Sequence, residues 1–425
     1  MNWFLIACFG HVSLPDSVHA LVRLKSLETQ FVSYVHGDPP SNGNGLAEGH
    51  LVLEGRHTIS PGVDVFLQPE IWADNLGLSS GAVNQVHDRA VRRPSVNLSE
   101  GYVDVRGAWL DLRLGKQKIA WGKADGLNPT DVFGAFDYAD LLHPERLGVV
   151  GLRTFYFSDP GRGENGSVIE GIFVPWYSSS RAGRISTRWR PILEDGSIPV
   201  GVDVRYPSAK LSNANAGLKF SREVSGWDVS ILYARLIDDV AGGERLGGPF
   251  VRPSFLKKRV AGMDASRTID EGRWEIHAEA AHTATPSGLD DDFVQAVVGA
   301  RRTFPDLQGE SDFDLTLEWA WEHVYSAHKE DHVVVVNRIQ RPFPGSVLVR
   351  AVWKWNEFVS WTVRGAYTVR GADAYVVMNE LAWRVTDLLE LRAGFDALSG
   401  RGGRTIAGQY EENDRWNACA TIYFR

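Results

Sequence analysis

The sequence predicts an all-β protein: a transmembrane antiparallel up-and-down β-barrel of about eighteen strands, with sixteen as the alternative. Three observations predict this fold. Segments of about ten residues alternate between apolar and polar positions. The connections between these segments fall alternately into short turns and long loops. The composition of the 425 residues is rich in turn-forming and aromatic residues, with 43 Gly, 15 Trp, 12 Tyr and 19 Phe but only 3 Met and 2 Cys.

The alternation is clearest in residues 312–322, where every second position from Phe313 to Trp321 is apolar and the intervening positions are Asp, Thr, Glu and Ala. A period of two residues places the apolar and polar side chains on opposite faces of a strand. Such segments match the about 9–11 residues of a tilted transmembrane strand better than the about 5–6 of a soluble one. The predicted strands are 27–36, 47–58, 62–73, 98–107, 109–121, 149–158, 167–176, 214–222, 226–236, 258–267, 273–283, 292–302, 312–324, 345–355, 357–368, 374–385, 388–396 and 414–424.

The connections give a second, independent signal. Tight turns are predicted after even-numbered strands, near Ser60-Pro61, Gly107-Ala108, Val224-Ser225, Asn356 and Thr386-Asp387. Long polar segments follow odd-numbered strands, at 74–97, 122–148, 177–213, 237–257, 325–344 and 397–413. A barrel with both chain ends in the periplasm has short periplasmic turns and long extracellular loops, whereas a soluble sandwich does not require this asymmetry.

Lipid contact explains why the strands must close into a barrel. An unpaired backbone amide costs several kcal/mol in hydrocarbon, so a sheet crosses a membrane only without a free edge. One face then meets lipid and the other lines a hydrated lumen. Six aromatic residues near strand ends are predicted to lie at the membrane interface: Trp319, Trp321, Trp353, Trp355, Trp361 and Phe424. The alternative is that they form the core of a soluble sheet.

The two chain ends carry targeting signals. Residues 1–20 contain an apolar stretch and end in Val18-His19-Ala20, which predicts a signal peptide; a lipoprotein box at Cys8 and a buried N-terminal segment are the alternatives. Residues 21–425 are predicted to form one barrel domain. The last strand resembles the C-terminal strand that the barrel-assembly machinery reads in outer-membrane proteins, except that Phe424 precedes a final Arg425. Outer-membrane lipid and this machinery are therefore the predicted partners.

One segment carries a family resemblance. Gly115-Lys116-Gln117 leads into Trp121-Gly122 and then into Asn128-Pro129-Thr130-Asp131. This run resembles uncharacterised porin-like outer-membrane β-barrels of Gram-negative bacteria, and the similar block extends through Arg146, 151–153 and 170–176. Physically, Gly122 and Gly126 allow the chain to leave the strand, and Thr130-Asp131 are placed to cap a short helix.

By this topology 122–148 lies in the third external loop. In general porins that loop folds inward, so the resemblance implies a constriction lined by Lys123, Asp125, Asp131, Asp137, Asp140, Glu145 and Arg146. An external loop packed on the barrel rim is the alternative, and the sequence leaves both open. From the barrel wall, the predicted lumen-lining cations are Arg350, Arg364 and Arg384.

Charge and motifs exclude several function classes. A net charge of −8, with 45 Lys+Arg and 53 Asp+Glu, argues against a nucleic-acid partner. Phosphate loops, zinc-spaced pairs and nucleophile elbows are absent from the sequence. His323, His328 and His332 lack a fixed spacing and are predicted to be solvated, so no metal, no cofactor and no enzymatic activity is expected.

The predicted function is a pore in the bacterial outer membrane for small polar or amphipathic solutes. The alternative is a scaffold barrel that holds or sheathes a partner protein, such as a periplasmic member of an export or electron-transfer complex. A role of the long loops in surface interactions is the third candidate.

Overall fold

Eighteen long strands form one antiparallel sheet that closes on itself. The first strand, β1 (Arg23–Tyr34), pairs with the next, β2 (Gly45–Ser60), and also with the last, β23 (Arg415–Tyr423). The predicted antiparallel barrel of eighteen strands is therefore confirmed. The computed structural model describes residues 23–36, 45–161, 166–181, 187–190, 200–201, 203–247, 250–287, 290–307, 309, 311–326, 341–369, 373–400 and 405–424. The predicted signal peptide, 1–20, lies outside these residues.

The other fifteen barrel strands each pair with the barrel strands before and after them. They are β3 (Val63–Asp74), β4 (Val96–Arg106), β5 (Leu110–Gln117), β8 (Val149–Phe157), β9 (Ser167–Val174), β11 (Asn215–Val224), β12 (Trp227–Ile237), β15 (Lys257–Ile269), β16 (Trp274–Ala284), β17 (Asp292–Phe304), β18 (Asp312–Ser326), β19 (Gly345–Lys354), β20 (Val359–Thr368), β21 (Ala374–Thr386) and β22 (Leu389–Ser399).

Short elements lie in the connections between barrel strands. They are β6 (Phe136–Asp137), β7 (Glu145–Arg146), β10 (Val200–Gly201), β13 (Gly242–Gly247), β14 (Phe250–Ser254), a 3₁₀ turn (Leu211–Asn213) and a one-turn α-helix (Ile406–Gln409). Within the described part of the chain, helices are too short and too polar to cross a membrane.

Connections alternate in length as predicted. Short ones such as 61–62, 225–226 and 387–388 define what we call the short-turn rim, where both β1 begins and β23 ends. At 225–226 the φ angles of Ser225 and Gly226 are 52° and 78°, the left-handed pair that a two-residue hairpin turn requires. The opposite end, here called the long-loop rim, carries the connections 75–95, 118–148, 175–214 and 238–256.

The two faces of the sheet have the burial pattern of a soluble protein turned inside out. On β18, outward-facing Leu317 and Trp319 are 48% and 41% exposed, whereas inward-facing Asp314 and Glu318 are only 6% and 4% exposed. Soluble proteins place apolar residues inside and leave charges at the surface. Here the charged face points into the barrel, where further chain covers it, and the apolar face is left bare.

Candidate functional site

The connection 118–148, which joins β5 to β8, is held to the inner face of the barrel by two carboxylates. Glu279 of β16 accepts hydrogen bonds from the backbone N–H of Lys123 and, at 2.7 Å, from that of Ala124. Glu318 of β18 accepts from Asp125 N at 2.7 Å and from Gly126 N at 2.9 Å. Hydrogen bonds to an ionised carboxylate are stronger than those between two neutral groups.

Two glycines allow this close approach of backbone to carboxylate. Gly122 has a φ of +98°, and a Cβ there would lie 3.0 Å from a carboxylate oxygen of Glu279. A Cβ on Gly126 would lie 2.8 Å from an oxygen of Glu318 and 2.7 Å from the Leu348 side chain. A larger residue at Gly122 would be strained by its positive φ, and at either position the carboxylate side chain would have to shift to make room.

Lys123 extends this anchorage to two further strands. Its Nζ lies 2.9 Å from a carboxylate oxygen of Asp228 on β12 and 3.2 Å from one of Asp264 on β15. Asp264 is 2% exposed and also pairs with Lys219 of β11 at 3.1 Å. A buried carboxylate between two ammonium groups is stable only with both partners present. Lys123 is therefore part of a fixed ion network.

The predicted helix at Thr130-Asp131 is wrong: residues 129–130 form a turn, closed by Asp131 N donating to Asn128 O at 3.1 Å. The Asp131 carboxylate does not cap a helix, because it accepts from Trp121 N at 3.1 Å and pairs with Arg146. Burial raises the pKa of Asp131, against the opposing charge of Arg146. Thr130 Oγ1 instead donates to Glu279 at 2.8 Å.

Farther along the segment, Asp137 lies between two buried guanidinium groups. Its carboxylate is 3.0 Å from Arg93 Nε and 3.2 Å from Arg181 Nη1. Burial alone would raise the pKa of Asp137, but the two guanidiniums outweigh it and hold the pKa below its usual value. Glu145, opposite Asp137 in the β6–β7 pair, has its pKa raised by burial. The Asp137 carboxylate is thus paired within the protein and leaves little free charge for a solute.

The segment also contacts β21–β23, the last three strands of the barrel. Asp140 pairs with Arg415 of β23 at 2.9 Å, and Arg415 in turn pairs with Asp396 of β22 at 2.7 Å. Leu141 and Leu142 pack against an apolar cluster that includes Val376 and Leu398 of β21 and β22. Contacts from one connection thus extend from β11 and β12 through β18 to β21–β23.

Apolar packing accompanies the ionic contacts. Ile119, Trp121 and Phe133 belong to a buried cluster with inward-facing residues of β8, β9, β12, β15 and β16. Ala124 and Leu127 join a second cluster with Val297, Ala320 and Leu348 of β17–β19. Inward-facing positions of β15–β18 are accordingly almost all covered.

The inner face of β19–β22 differs at mid-height and toward the short-turn rim, because its charges there remain accessible. The Arg350 and Lys354 side chains are 37% and 51% exposed, and Arg364 and Arg384 are also exposed. Arg350 and Arg364 are direct cross-strand partners. Asp125, whose side chain is 43% exposed, is the acidic residue of the segment that faces them, 3.5 Å from Arg350. We call this exposed inner surface of β19–β22 the open sector.

Of the predicted constriction residues, the structure therefore brings Asp125, Arg350 and Arg364 together. Arg384 lies on the same inner face nearer the short-turn rim, with Glu390 as its cross-strand partner. Four others, Lys123, Asp131, Asp140 and Arg146, are paired within the segment or with the wall and hold it in place. Asp137 pairs with arginines of two other connections, and Glu145 lies opposite it in the β6–β7 pair. The sequence analysis missed Glu279 as an anchor, because its partners are 155 and 156 residues away in the chain.

The predicted interface aromatics all lie on the outer face or just beyond a strand. Trp353 and Trp361 are cross-strand partners near the short-turn rim. Trp355 follows β19, and Phe424 follows β23, with its N–H donating to Lys25 O at 3.0 Å. Trp321 lies toward the long-loop rim. Trp319 lies midway along β18, so its indole is away from both strand ends.

Among the described residues, no group of three or more His, Cys, Asp or Glu side chains has the arrangement of a metal site. His323 lies on the outer face of β18, stacked on Trp321 with ring centroids 5.9 Å apart. His328 and His332 lie outside the described residues.

Comparison with known proteins gives structural likenesses only. No family model and no curated protein matches the sequence. The fold is similar to that of a five-site mutant of the Rhodopseudomonas blastica porin, with a TM-score of 0.42 and 12% identity over 95% of this chain and 100% of that chain. It is also similar to Pseudomonas aeruginosa OpdK, solved with vanillate, with a TM-score of 0.49 and 12% identity over 95% of this chain and 98% of that chain.

Proposed function

We propose that this chain spans the outer membrane of a Gram-negative bacterium and conducts small polar or amphipathic solutes through its lumen. The observation that carries the proposal is the segregation of side chains in a closed barrel: bare apolar residues outward, charged residues inward. A bare apolar wall is stable against lipid and unfavourable in water. Long loops at one rim and short turns at the other match extracellular and periplasmic ends.

Segment 118–148 is proposed as the constriction of this channel. Its anchors at Glu279 and Glu318, and its packing along β15–β18, support a segment that narrows the lumen instead of resting on the rim. The remaining aqueous path then follows the open sector. Asp125 and Arg350, whose side chains lie 3.5 Å apart, place one acidic and one basic group at the edge of this path, and charged side chains of this kind set ion selectivity in channels.

The charge of the open sector favours anionic solutes. Arg350, Lys354, Arg364 and Arg384 place four cations on this inner surface, opposed by Glu380 and Glu390 on the same strands. Glu380 and Glu390 both lie near a fifth cation, Arg392, at 3.9 and 3.5 Å. Since a surplus of one sign raises the local concentration of the other, we expect anions to pass more readily than cations.

Single-channel recording in planar bilayers tests both the channel and the constriction. The intact protein is expected to conduct in steps with an anion preference, and deletion of 126–142 is expected to enlarge the steps. A folded barrel that passes no current would overturn the channel, whereas an unchanged step size after the deletion would remove only the constriction.

The scaffold alternative requires an empty lumen. Segment 118–148 contacts strands on opposite sides of the barrel and takes up space that a sheathed partner would need. This favours a channel over a sheath. Co-purification of a stoichiometric partner from the native membrane would reverse that preference.

A further inference from the structure

The outer wall carries a pair of like charges near the long-loop rim. Arg235 of β12 and Arg259 of β15 are direct cross-strand partners, and both side chains are exposed on the outward face. Like charges directly opposite each other on a sheet are destabilising. On a largely apolar wall, such a pair needs a compensating anion.

The neighbouring outward positions supply no carboxylate. They are Ala216, Ala284, Tyr233, Ala261, Ile237 and Lys257. The last of these adds a third cation, because Lys257 Nζ and Arg235 Nη2 both donate to the Ser212 carbonyl oxygen, at 3.1 and 3.2 Å. Among the described residues, none of the three cations has an ion pair with an acidic side chain. Within the described part of the chain, these three positive charges therefore converge without an acidic counter-ion.

Their height on the barrel places these cations at a membrane boundary. The outward residues of β12 between Trp227 and Arg235 are Val229, Ile231 and Tyr233, an apolar run. At about 3.3 Å per residue and a tilt of about 40°, the eight residues from Trp227 to Arg235 rise roughly 20 Å, close to the height of the apolar band of such barrels. Leu211, 78% exposed, precedes Ser212 and is free to enter the acyl region beside the cations.

We propose that Arg235, Lys257 and Arg259 bind the phosphate groups of a phosphorylated lipid headgroup in the outer leaflet. The guanidinium fork matches phosphate oxygens in a bidentate geometry, and the lysine adds a point charge. A lipid phosphate at this height relieves the Arg235–Arg259 repulsion, while its acyl chains lie along Tyr233, Ala261 and Leu211. This site rests on the proposed membrane orientation but not on solute passage.

The test is binding of fluorescent diphosphoryl lipid A to the full-length barrel in detergent micelles. Replacing two cations, Arg235→Gln with Arg259→Gln, is expected to weaken binding about thirtyfold. The matched control, Arg222→Gln with Arg267→Gln, also removes two outward arginines, but near the short-turn rim, and is expected to leave binding unchanged. Heat-modifiable gel mobility verifies that each variant is folded.

Two further arms identify the ligand. Dephosphorylated lipid A should bind the wild type as weakly as diphosphoryl lipid A binds the double variant, and inorganic phosphate should not displace the labelled lipid at equal concentration. Equal binding by both double variants, equal binding of the dephosphorylated lipid, or ready displacement by inorganic phosphate would each overturn the proposal. If the double variant does not fold, Lys257→Gln alone is expected to weaken binding about fivefold. Bilayer current measured on the same variants keeps failure of the channel separate from failure of this site.

Discussion

Glu279 is the residue whose replacement most directly tests the anchored segment. Its carboxylate accepts from Lys123 N, from Ala124 N at 2.7 Å and from Thr130 Oγ1 at 2.8 Å. The substitution Glu279→Gln keeps the shape of the side chain but removes its charge. One oxygen is replaced by an NH₂ group, which cannot accept from the Thr130 hydroxyl, while the remaining amide oxygen still accepts from Lys123 N and Ala124 N.

The expected magnitude follows from these three short hydrogen bonds. Two of them change from charge-assisted bonds to neutral ones and the third loses its acceptor, a loss of about 1 kcal/mol each. Together they weaken the wall-bound position of the segment by about 3 kcal/mol, roughly a hundredfold in its equilibrium with detached positions. Glu318 still holds Asp125 and Gly126, so partial rather than complete detachment is expected.

Single-channel recording measures the result. Glu279→Gln is expected to show frequent excursions to larger current levels, because the narrowed part of the lumen widens whenever the segment detaches. Glu275→Gln is the matched control, since Glu275 lies on the same strand and inner face, four residues nearer the short-turn rim. If a folded Glu279→Gln channel gave the same current levels and noise as the wild type, the anchoring role would be refuted.

Three further predictions concern charge, pH and lipid contact. Arg364→Glu, on the open sector, is expected to lower the anion-to-cation permeability ratio about fivefold, because exposed charges in water interact by roughly 1 kcal/mol. The reversal potential in a salt gradient measures this ratio, and an unchanged value would count against the anionic path. Burial and the neighbouring Asp238 carboxylate raise the pKa of Asp239 from 3.8 to about 7. The folded state therefore holds this proton more tightly than the unfolded state, and its stability falls as the pH rises through that interval. Proteolysis of the external connection 238–256 should be slower at about pH 5.5 than at about pH 8, and the reverse order would contradict this reasoning. Val298→Arg, at an outward position that is 57% exposed, is expected to lower the free energy of unfolding in lipid vesicles by about 2–4 kcal/mol. The inward substitution Ser360→Arg should lower it by less than about 0.5 kcal/mol. Equal losses would refute the assignment of faces.

The barrel was predictable because its determinants are local. Alternation along 312–322 assigns each side chain to a face without reference to any other strand. The two-residue turn at 225–226 is likewise set by its own residues, Ser225 and Gly226, and their left-handed φ angles. Every predicted strand overlaps an observed one. Closure into a barrel then follows, because a sheet in lipid cannot leave an edge unpaired.

The candidate site was only partly predictable. Lys123, Asp125 and Arg146 stood out as charges in an unusual segment, but the constriction hypothesis made all three available to a solute. The structure assigns Lys123 and Arg146 to ion networks and leaves Asp125 exposed beside Arg350. The predicted helix at Thr130-Asp131 was wrong because Glu279, on another strand, competes for the Thr130 hydroxyl.

The sequence by itself determined the antiparallel barrel, the inward and outward faces and the positions of turns and loops, because these depend on the two-residue period and on turn chemistry within a few residues. Only the tertiary structure decided where segment 118–148 lies, which of its charges are neutralised and which sector of the wall stays open. Those outcomes depend on pairs such as Glu279 with Ala124, 155 residues apart, whose meeting is set by the curvature of the closed sheet. The cross-strand pairing of Arg235 with Arg259 belongs to the same class, because a shift of one residue in strand register would have turned one of the two side chains inward.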